Sequence, residues 1–304
     1  MIYNVTETGE RIDRFLSDNA GLTRTAVAKL IEAGNCKING VVKTAKNHKL
    51  KAGDEVSLTI PEAVEIGIIP EEMPIEIIYE DDDLLVVNKP RGIVVHPAHG
   101  NESGTLVNFL MYHCGDSLSG INGEIRPGIV HRIDKNTSGL LLAAKNDFSH
   151  TRLAEQLKAR EVIRGYQAVV SGFIRESGTV NVPIGRHKIK RKEMTVNGLN
   201  PREAITRYEV VKNYENASHL RICLETGRTH QIRVHMAYIG HPVLGDDVYC
   251  NGKSKAFVRY KRLGGQCLHA CKLGLIHPRT GEYMEFECGL PEYFTKLLGQ
   301  LRET

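Results

Sequence analysis

The spacing of apolar positions in the first sixty residues predicts a small unit of two helices and a sheet. Apolar residues recur one helical turn apart over 11–19, and again over 23–34, where a threonine at the start and a glycine at the end are typical helix boundaries. The Asn39-Gly40 pair predicts a tight hairpin turn, and residues 55–60 alternate like a half-buried strand. We therefore expect a compact α/β unit over residues 1–60.

From residue 84 onward the pattern predicts strands and helices in an irregular order. The run 139–144 is apolar throughout, as expected for a strand that is buried on both faces. Further strands are predicted at 84–90, 166–170 and 220–224, and helices at 148–160 and 229–239. Because these elements lack a regular βαβ alternation, we predict an α+β fold with a mixed, largely antiparallel sheet over 84–304.

Charge and proline content separate the two predicted domains. Residues 61–83 contain three prolines, nine acidic residues and no lysine or arginine, which predicts an acidic linker. The flanking segments have net charges of +2 (1–60) and +11 (84–304). Basic domains attract polyanions such as nucleic acids, but a solvated basic surface without a partner explains the charge equally well.

Composition narrows the class of protein. The chain has 304 residues, of which 41% are hydrophobic, and contains no apolar stretch long enough for a membrane helix. Its N-terminal sequence lacks the apolar core of a signal peptide, so we expect a cytoplasmic protein with no membrane association. The seven cysteines are scattered without a CxxC pair, which indicates reduced thiols rather than a disulfide framework.

Two segments place charged groups where chemistry is possible. In HRIDKNTSG (131–139), Arg132 and Asp134 share one face of an extended chain, although the same composition is common in surface turns. In TGRTHQIRVH (226–235), Arg228 and Arg233 lie near the start of a predicted helix, where an anion would be stabilised. Since apolar residues flank this second group, we favour a functional role for it over a solvated helix face.

A third segment, GRHKIKRK (185–192), is strongly basic. Such a run is typical of a nucleic-acid-binding loop or of a mobile charged loop, and a flexible loop that binds phosphate satisfies both descriptions. Its basic residues other than histidine are Arg186, Lys188, Lys190, Arg191 and Lys192.

Motifs for metals and cofactors are missing from the sequence. Cys267-x-His269-x-Cys271 lacks the second ligand pair of a zinc site, so we expect no metal there. Dinucleotide-binding, P-loop and G-x-S-x-G motifs do not occur.

Four blocks of sequence closely resemble the signatures of RNA pseudouridine synthases of the RluA/RluD type. They are EDDDLLVVNKPRGIVVH (80–96), HRIDKNTSGLLLAAKN (131–146), RGYQAVVSG (164–172) and LETGRTHQIRVHMAYIGHPVLGD (224–246). Residues 11–60 resemble the small S-four-type RNA-binding domain. The resemblance covers nearly the whole chain, with Ile133 where family members often have leucine.

The resemblance implies a cofactor-free isomerisation of uridine to pseudouridine in folded RNA. Asp134 matches the essential aspartate, whose attack on the ribose, attack on the base or removal of a ribose proton all remain possible. Arg228 matches the basic residue that pairs with this aspartate, and Tyr166 matches the ring that stacks on the uracil. Arg132 matches the residue that fills the space of the flipped nucleotide. Ile232 is expected to line the floor of the uracil pocket.

The resemblance also indicates the partner. We expect large-subunit ribosomal RNA or a pre-ribosomal particle as substrate, and a monomeric enzyme. In the N-terminal domain, Lys29, Lys37, Lys43 and Lys46 are candidate RNA contacts, although a single lysine is more often simply solvated. The alternatives are a transfer-RNA pseudouridine synthase and a non-catalytic RNA-binding assembly factor.

Overall fold

The computed structural model describes residues 1–20, 24–59, 68–98, 100–115, 118–120, 127–190, 192–250 and 263–303. The chain divides into two compact units, Met1–Ile66 and Gly67–Thr304. Within the described ranges, no helix combines the length and the apolar character that a membrane crossing requires.

The first unit has a four-stranded antiparallel sheet and two helices, as the apolar spacing predicted. The sheet order is β1-β4-β2-β3. Asn39 and Gly40 turn between β2 and β3 with φ angles of 50° and 79°, which confirms the hairpin. The elements are β1 (Ile2–Asn4), α1 (Ile12–Ala20), α2 (Arg24–Glu32), β2 (Cys36–Ile38), β3 (Val41–Val42) and β4 (Glu55–Leu58).

The core of this unit is formed by one apolar stripe from each helix. Ile12 and Leu16 of α1 and Ile31 of α2 are fully buried and pack against Val56 and Leu58 of β4. The helical periodicity therefore places these side chains on the sheet, and burial of such side chains contributes about 1.5–3 kcal/mol each.

The second unit contains the remaining elements. In chain order they are β5 (Glu76–Glu80), β6 (Leu84–Lys89), α3 (Leu106–Cys114), β7 (Ser138–Ala144), α4 (Asp147–Ala159), β8 (Ile163–Ser171), β9 (Gly178–Asn181), β10 (Ile184–Arg186), β11 (Met194–Val196), β12 (Leu199–Arg202), β13 (Ile205–Tyr214), β14 (Ala217–Leu224), α5 (Gln231–Tyr238), β15 (Leu268–Ile276), β16 (Tyr283–Glu287) and α6 (Glu292–Gln300).

A nine-stranded sheet organises this unit. Its order is β5-β6-β7-β15-β8-β14-β13-β9, and β16 pairs with β15 outside this path. Strands β7 and β15 run parallel, whereas the other described pairs of this sheet are antiparallel. A separate small sheet has the order β11-β10-β12. The α+β fold with a largely antiparallel sheet is therefore confirmed.

Helices cover both faces of the large sheet. Tyr166 and Leu141 belong to the cluster that includes α3 and α5 on one face, whereas Leu140 and Leu142 pack with α4 on the other. Every residue of β7 is buried, because helices lie on both sides of this strand. Helix α6 packs on Val169, on the second face of β8.

The acidic segment differs from the predicted linker in its later part. Residues 61–67 lie outside the described part of the chain, but Glu76–Glu80 forms β5 and pairs with β6 at the edge of the large sheet. An edge strand tolerates charged side chains because one of its sides is solvated, and charge there also prevents pairing with other chains.

Candidate active site

A cavity of about 550 Å³ opens on the second unit and brings the four sequence blocks together. A volume in this range suits a small ligand or one flipped nucleotide. Its lining includes His96 from the first block, Asp134 from the second, Tyr166 from the third and Arg228 from the fourth. Arg132 and Ile232 line it as well.

Asp134 lies in a turn just before β7, and the side chains of Lys89 and Arg91 donate hydrogen bonds to the backbone of that turn. The fully buried Lys89 donates from Nζ to the backbone carbonyls of Pro90 (2.9 Å), Ile93 (2.8 Å) and Lys135 (3.2 Å). Arg91 donates from Nε to the carbonyl of Asn136 at 3.2 Å. These bonds fix the backbone on the C-terminal side of Asp134, so its carboxylate has a defined position in the cavity wall.

The carboxylate of Asp134 pairs with Arg233 of α5. Arg233 Nη1 donates to Asp134 Oδ2 at 3.0 Å, and the same guanidinium binds both oxygens of the buried Asp246 at 2.7 and 2.9 Å. Burial alone would lower the pKa of Arg233, but Asp246 and Asp134 outweigh this effect, so the pKa lies above its ordinary value. Arg233 therefore stays charged and holds Asp134 close to a positive group.

The expected ion pair between Arg228 and Asp134 does not form, and Arg233 pairs with Asp134 instead. Arg228 lines the cavity, but its Nε donates to the backbone carbonyl of Glu203 at 2.9 Å. The physical reason is position: Arg228 precedes α5, whereas Arg233 lies within it and is held by Asp246. The segment 226–235 does contain the residue that contacts Asp134, and it is the second of its two arginines.

A histidine completes the surroundings of the carboxylate. His230 Nε2 lies 3.9 Å from Asp134 Oδ1, and His230 Nδ1 is 2.7 Å from the hydroxyl of Tyr249. His230 is the N-cap of α5 with a left-handed φ of 57°, so the helix starts after His230 rather than at Thr229 as predicted. Burial lowers the pKa of His230, which favours a neutral ring.

Tyr166 and Ile232 contribute to the apolar part of the cavity lining. Tyr166 of β8 is 6% exposed, and Ile232 of α5 is 4% exposed. Burial raises the pKa of Tyr166 to about 12, so the phenol is protonated at neutral pH. An aromatic ring beside a buried isoleucine offers a surface on which a flat base can pack.

The residues next to Asp134 have different environments. Arg132 is exposed, and its Nη2 donates to Thr229 Oγ1 at 2.7 Å, which links the second and fourth blocks. His131 Nε2 accepts a hydrogen bond of 3.0 Å from the backbone N–H of Leu142 in β7. Burial lowers the pKa of His131 to about 3, so this ring stays neutral and attaches the block to the sheet.

The other candidate RNA contacts that the structure describes are not among the residues lining the cavity. In the first unit, Lys37 is exposed, Lys43 is half-buried, and Lys46 pairs with Glu32 at 2.6 Å. The side chain of Lys29 and the whole of Arg191 are outside the described residues. The exposed members of the 186–192 segment lie at or beyond the end of β10: Arg186, Lys188, Lys190 and Lys192.

No group of three or more histidine, cysteine, aspartate or glutamate side chains that could hold a metal occurs among the residues that the structure describes. Cys267, His269 and Cys271 lie at the start of β15 or just before it rather than on a helix. His269 there bonds to Ser138 at 2.9 Å and to the Cys288 thiol at 3.3 Å.

Sequence reasoning missed several groups that shape the cavity. Asp246 lies at the end of the fourth block, and its pairing with Arg233 depends on a fold contact across 13 residues. Lys89 and Arg164 lie inside the first and third blocks. A charged residue within a predicted apolar strand was the sequence signal that could have identified them.

Comparison with known proteins identifies both units. The family model for RNA pseudouridylate synthase matches residues 83–238, and the model for the S4 domain matches residues 10–56. The cavity residues from Asp134 to Arg233 lie inside the first match, and the two helices of the first unit lie inside the second.

Full-length relatives agree with these matches. The Bacillus subtilis protein named "uncharacterized RNA pseudouridine synthase YlyB" is 50% identical over 299 residues, which covers 98% of this chain and 96% of the relative. Ribosomal large subunit pseudouridine synthase D of Zymomonas mobilis is 44% identical over 292 residues, or 93% of this chain and 91% of the relative.

Solved structures show the same fold. Human RNA pseudouridylate synthase domain containing 1 superposes with a TM-score of 0.57 at 27% identity, covering 76% of this chain and 86% of the human chain. The match over residues 83–238 and the relatives that align along nearly all of the sequence show that the chain belongs to the RNA pseudouridylate synthase family.

Proposed function

We propose that this enzyme isomerises specific uridines of large-subunit ribosomal RNA to pseudouridine, with Asp134 as the catalytic carboxylate. The observation that supports it most is the position of Asp134 in a basic, nucleotide-sized cavity, paired at 3.0 Å with Arg233 and facing the same space as Tyr166. A carboxylate that faces the cavity would repel phosphate, so a purely RNA-binding protein gains nothing from it.

The proposed reaction needs no external reactant. The bond between C1′ of the ribose and N1 of the uracil breaks, the uracil turns, and C5 bonds to C1′ while the C5 proton leaves and N1 ends with a proton. Asp134 assists by attack on the ribose, by attack on the base or by removal of a ribose proton. Tyr166 stacks on the uracil with its phenol protonated, and Ile232 packs beneath the base.

RNA binding is divided between the two units in this proposal. Arg132, exposed beside the cavity, fills the space that the flipped uridine leaves, and flipping costs least at an unpaired base. The S4 unit and the 186–192 segment add phosphate contacts and so raise the local concentration of RNA. We also propose that the enzyme acts as a monomer.

The choice of ribosomal RNA follows from the relatives. Proteins named ribosomal large subunit pseudouridine synthase D from Zymomonas mobilis and Haemophilus influenzae are 44% and 40% identical to this chain.

Pseudouridine mapping of cellular RNA, with the protein present and absent, tests this substrate. We expect discrete uridines of large-subunit ribosomal RNA to lose their modification when the protein is absent. Loss confined to transfer RNA would contradict the substrate, and an unchanged map would contradict the activity.

A further inference from the structure

One wall of the cavity carries positive charge that the protein itself does not neutralise. Arg233 is satisfied by Asp134 and Asp246, and Arg160 pairs with Glu203. Arg164 and Arg228 line the same cavity, and neither forms an ion pair with any carboxylate in the described ranges of the chain. The reaction proposed above assigns no role to either of them.

Arg164 is short of hydrogen-bond acceptors. It lies two residues before Tyr166 on β8, so both side chains are on the cavity face of the sheet. Its side chain is 8% exposed, its Nε has no partner among the described atoms, and Nη2 reaches the Glu225 carbonyl at 3.3 Å. A buried guanidinium with five N–H donors and one long bond is costly unless a ligand supplies acceptors.

Arg228 lies next to this group. A Cβ atom on Gly227 would stand 2.5 Å from Arg164 Nη1, so the guanidinium of Arg164 packs directly beneath the backbone before Arg228. Burial lowers the pKa of Arg228, the charges of Arg202, Arg160 and Arg164 lower it further, and the charge of Glu203 only partly opposes them. Two like charges are therefore held close together while no described carboxylate forms an ion pair with either, which is an arrangement that suits an anion.

We propose that Arg164 and Arg228 form a phosphate subsite that binds one backbone phosphate of the RNA next to the flipped uridine. The inference rests on the proposed function, because RNA is the ligand. A phosphodiester matches the planar fork of arginine and neutralises the pair, whereas a uracil carbonyl is uncharged. Each flipped nucleotide brings a phosphate on its 5′ and its 3′ side to the cavity.

Binding measurements with altered RNA test the subsite. The probe is an RNA fragment around one mapped uridine. Binding is measured with Asp134→Asn protein, so that no conversion occurs. In every probe, the ribose that precedes each of the two flanking phosphates carries a 2′-methoxy group. Two further probes each carry an uncharged methylphosphonate, on the 5′ or the 3′ side. We expect one of the two methylphosphonate probes to bind Asp134→Asn protein at least about tenfold more weakly than the all-phosphate probe does.

Arginine variants then connect the lost phosphate to the two residues. Arg164→Gln and Arg228→Gln should each weaken binding of the all-phosphate probe about tenfold, with a combined loss smaller than the product because both bind one phosphate. In the double variant, the slope of log affinity against log salt should fall by about 0.7–1, and the sensitive methylphosphonate should cause no further loss.

Matched controls separate this role from a structural one. Arg221→Gln removes an arginine from β14 on the opposite face of the sheet, since its neighbour Ile222 pairs with Tyr166, and it should bind like the parent protein. Arg164→Lys keeps the charge and should keep the salt slope. If Arg164→Gln fails to fold, Arg228→Gln tests the subsite with the methylphosphonate probes, because Arg228 is only half-buried.

An unchanged salt slope, or a methylphosphonate penalty that is as large in the variants as in the parent, would overturn the subsite. Its failure is distinct from failure of the proposed function. Conversion of uridine by the wild-type protein, followed in a separate assay, would stand whatever the arginine variants bind. Absence of conversion would contradict the enzyme proposal while the phosphate result still held.

Discussion

At the scale of single residues, the site depends on one arginine shared by two carboxylates. Asp246 is fully buried, and it orients the guanidinium of Arg233 so that Nη1 is left for Asp134. The sequence placed two arginines in the correct segment but could not choose between them. The choice depends on Asp246 and on the start of α5, which are set by packing rather than by local pattern.

The pairing predicts a large loss of stability on removal of Arg233. Arg233→Gln leaves the buried Asp246 without its partner and should destabilise the second unit by about 3–5 kcal/mol. The double variant Arg233→Gln/Asp246→Asn should regain a substantial part of this loss, because it removes the unpaired charge. Chemical denaturation of each variant measures the effect.

Arg228→Gln is the matched control for this comparison. It removes an arginine from the same segment that forms no described ion pair, so we expect a change within about 0.5 kcal/mol. A larger loss for Arg228→Gln than for Arg233→Gln would contradict the assignment of the pair.

At the scale of elements, sequence patterns predicted those helices, strands and turns that are determined by neighbouring residues. The two helices of the S4 unit, the Asn39-Gly40 turn and β7 were predicted because their spacing, turn chemistry and apolar content are visible within a few residues. The small sheet of β10 to β12 and the edge strand β5 were not, since their stability depends on pairing with distant segments.

The attachment of the second block to β7 predicts a pH dependence. In the folded state the pKa of His131 is about 3 because of burial, whereas the unfolded chain has a value of about 6.5. The unfolded state therefore binds more protons between these values, and stability is lost as the pH falls below about 6.5. His131→Gln can still accept from Leu142 N–H but does not titrate.

Calorimetry from pH 7.5 to 5 measures this effect on the second unit. The stability lost over that range should be about 1–2 kcal/mol smaller in His131→Gln than in the wild type. His48→Gln, in the first unit, should leave the curve of the second unit unchanged. Parallel curves for wild type and His131→Gln would show that His131 is not held neutral.

At the scale of the whole molecule, two units divide the proposed tasks. The S4 unit has its own core and contributes exposed basic residues, whereas the cavity belongs entirely to the second unit. The sequence predicted the order and general nature of both, because four blocks and a charge boundary mark them. It could not predict how four blocks spread over more than 150 residues converge on one cavity, which is a property of the sheet order.

The most direct test of the account is the conversion of uridine by purified wild-type and Asp134→Asn proteins under single-turnover conditions with ribosomal RNA lacking the modification. The account predicts conversion at discrete uridines by the wild type and none by Asp134→Asn, with both proteins folded and bound to RNA with similar affinity. Conversion by Asp134→Asn at a rate near that of the wild type would contradict the central role of this carboxylate.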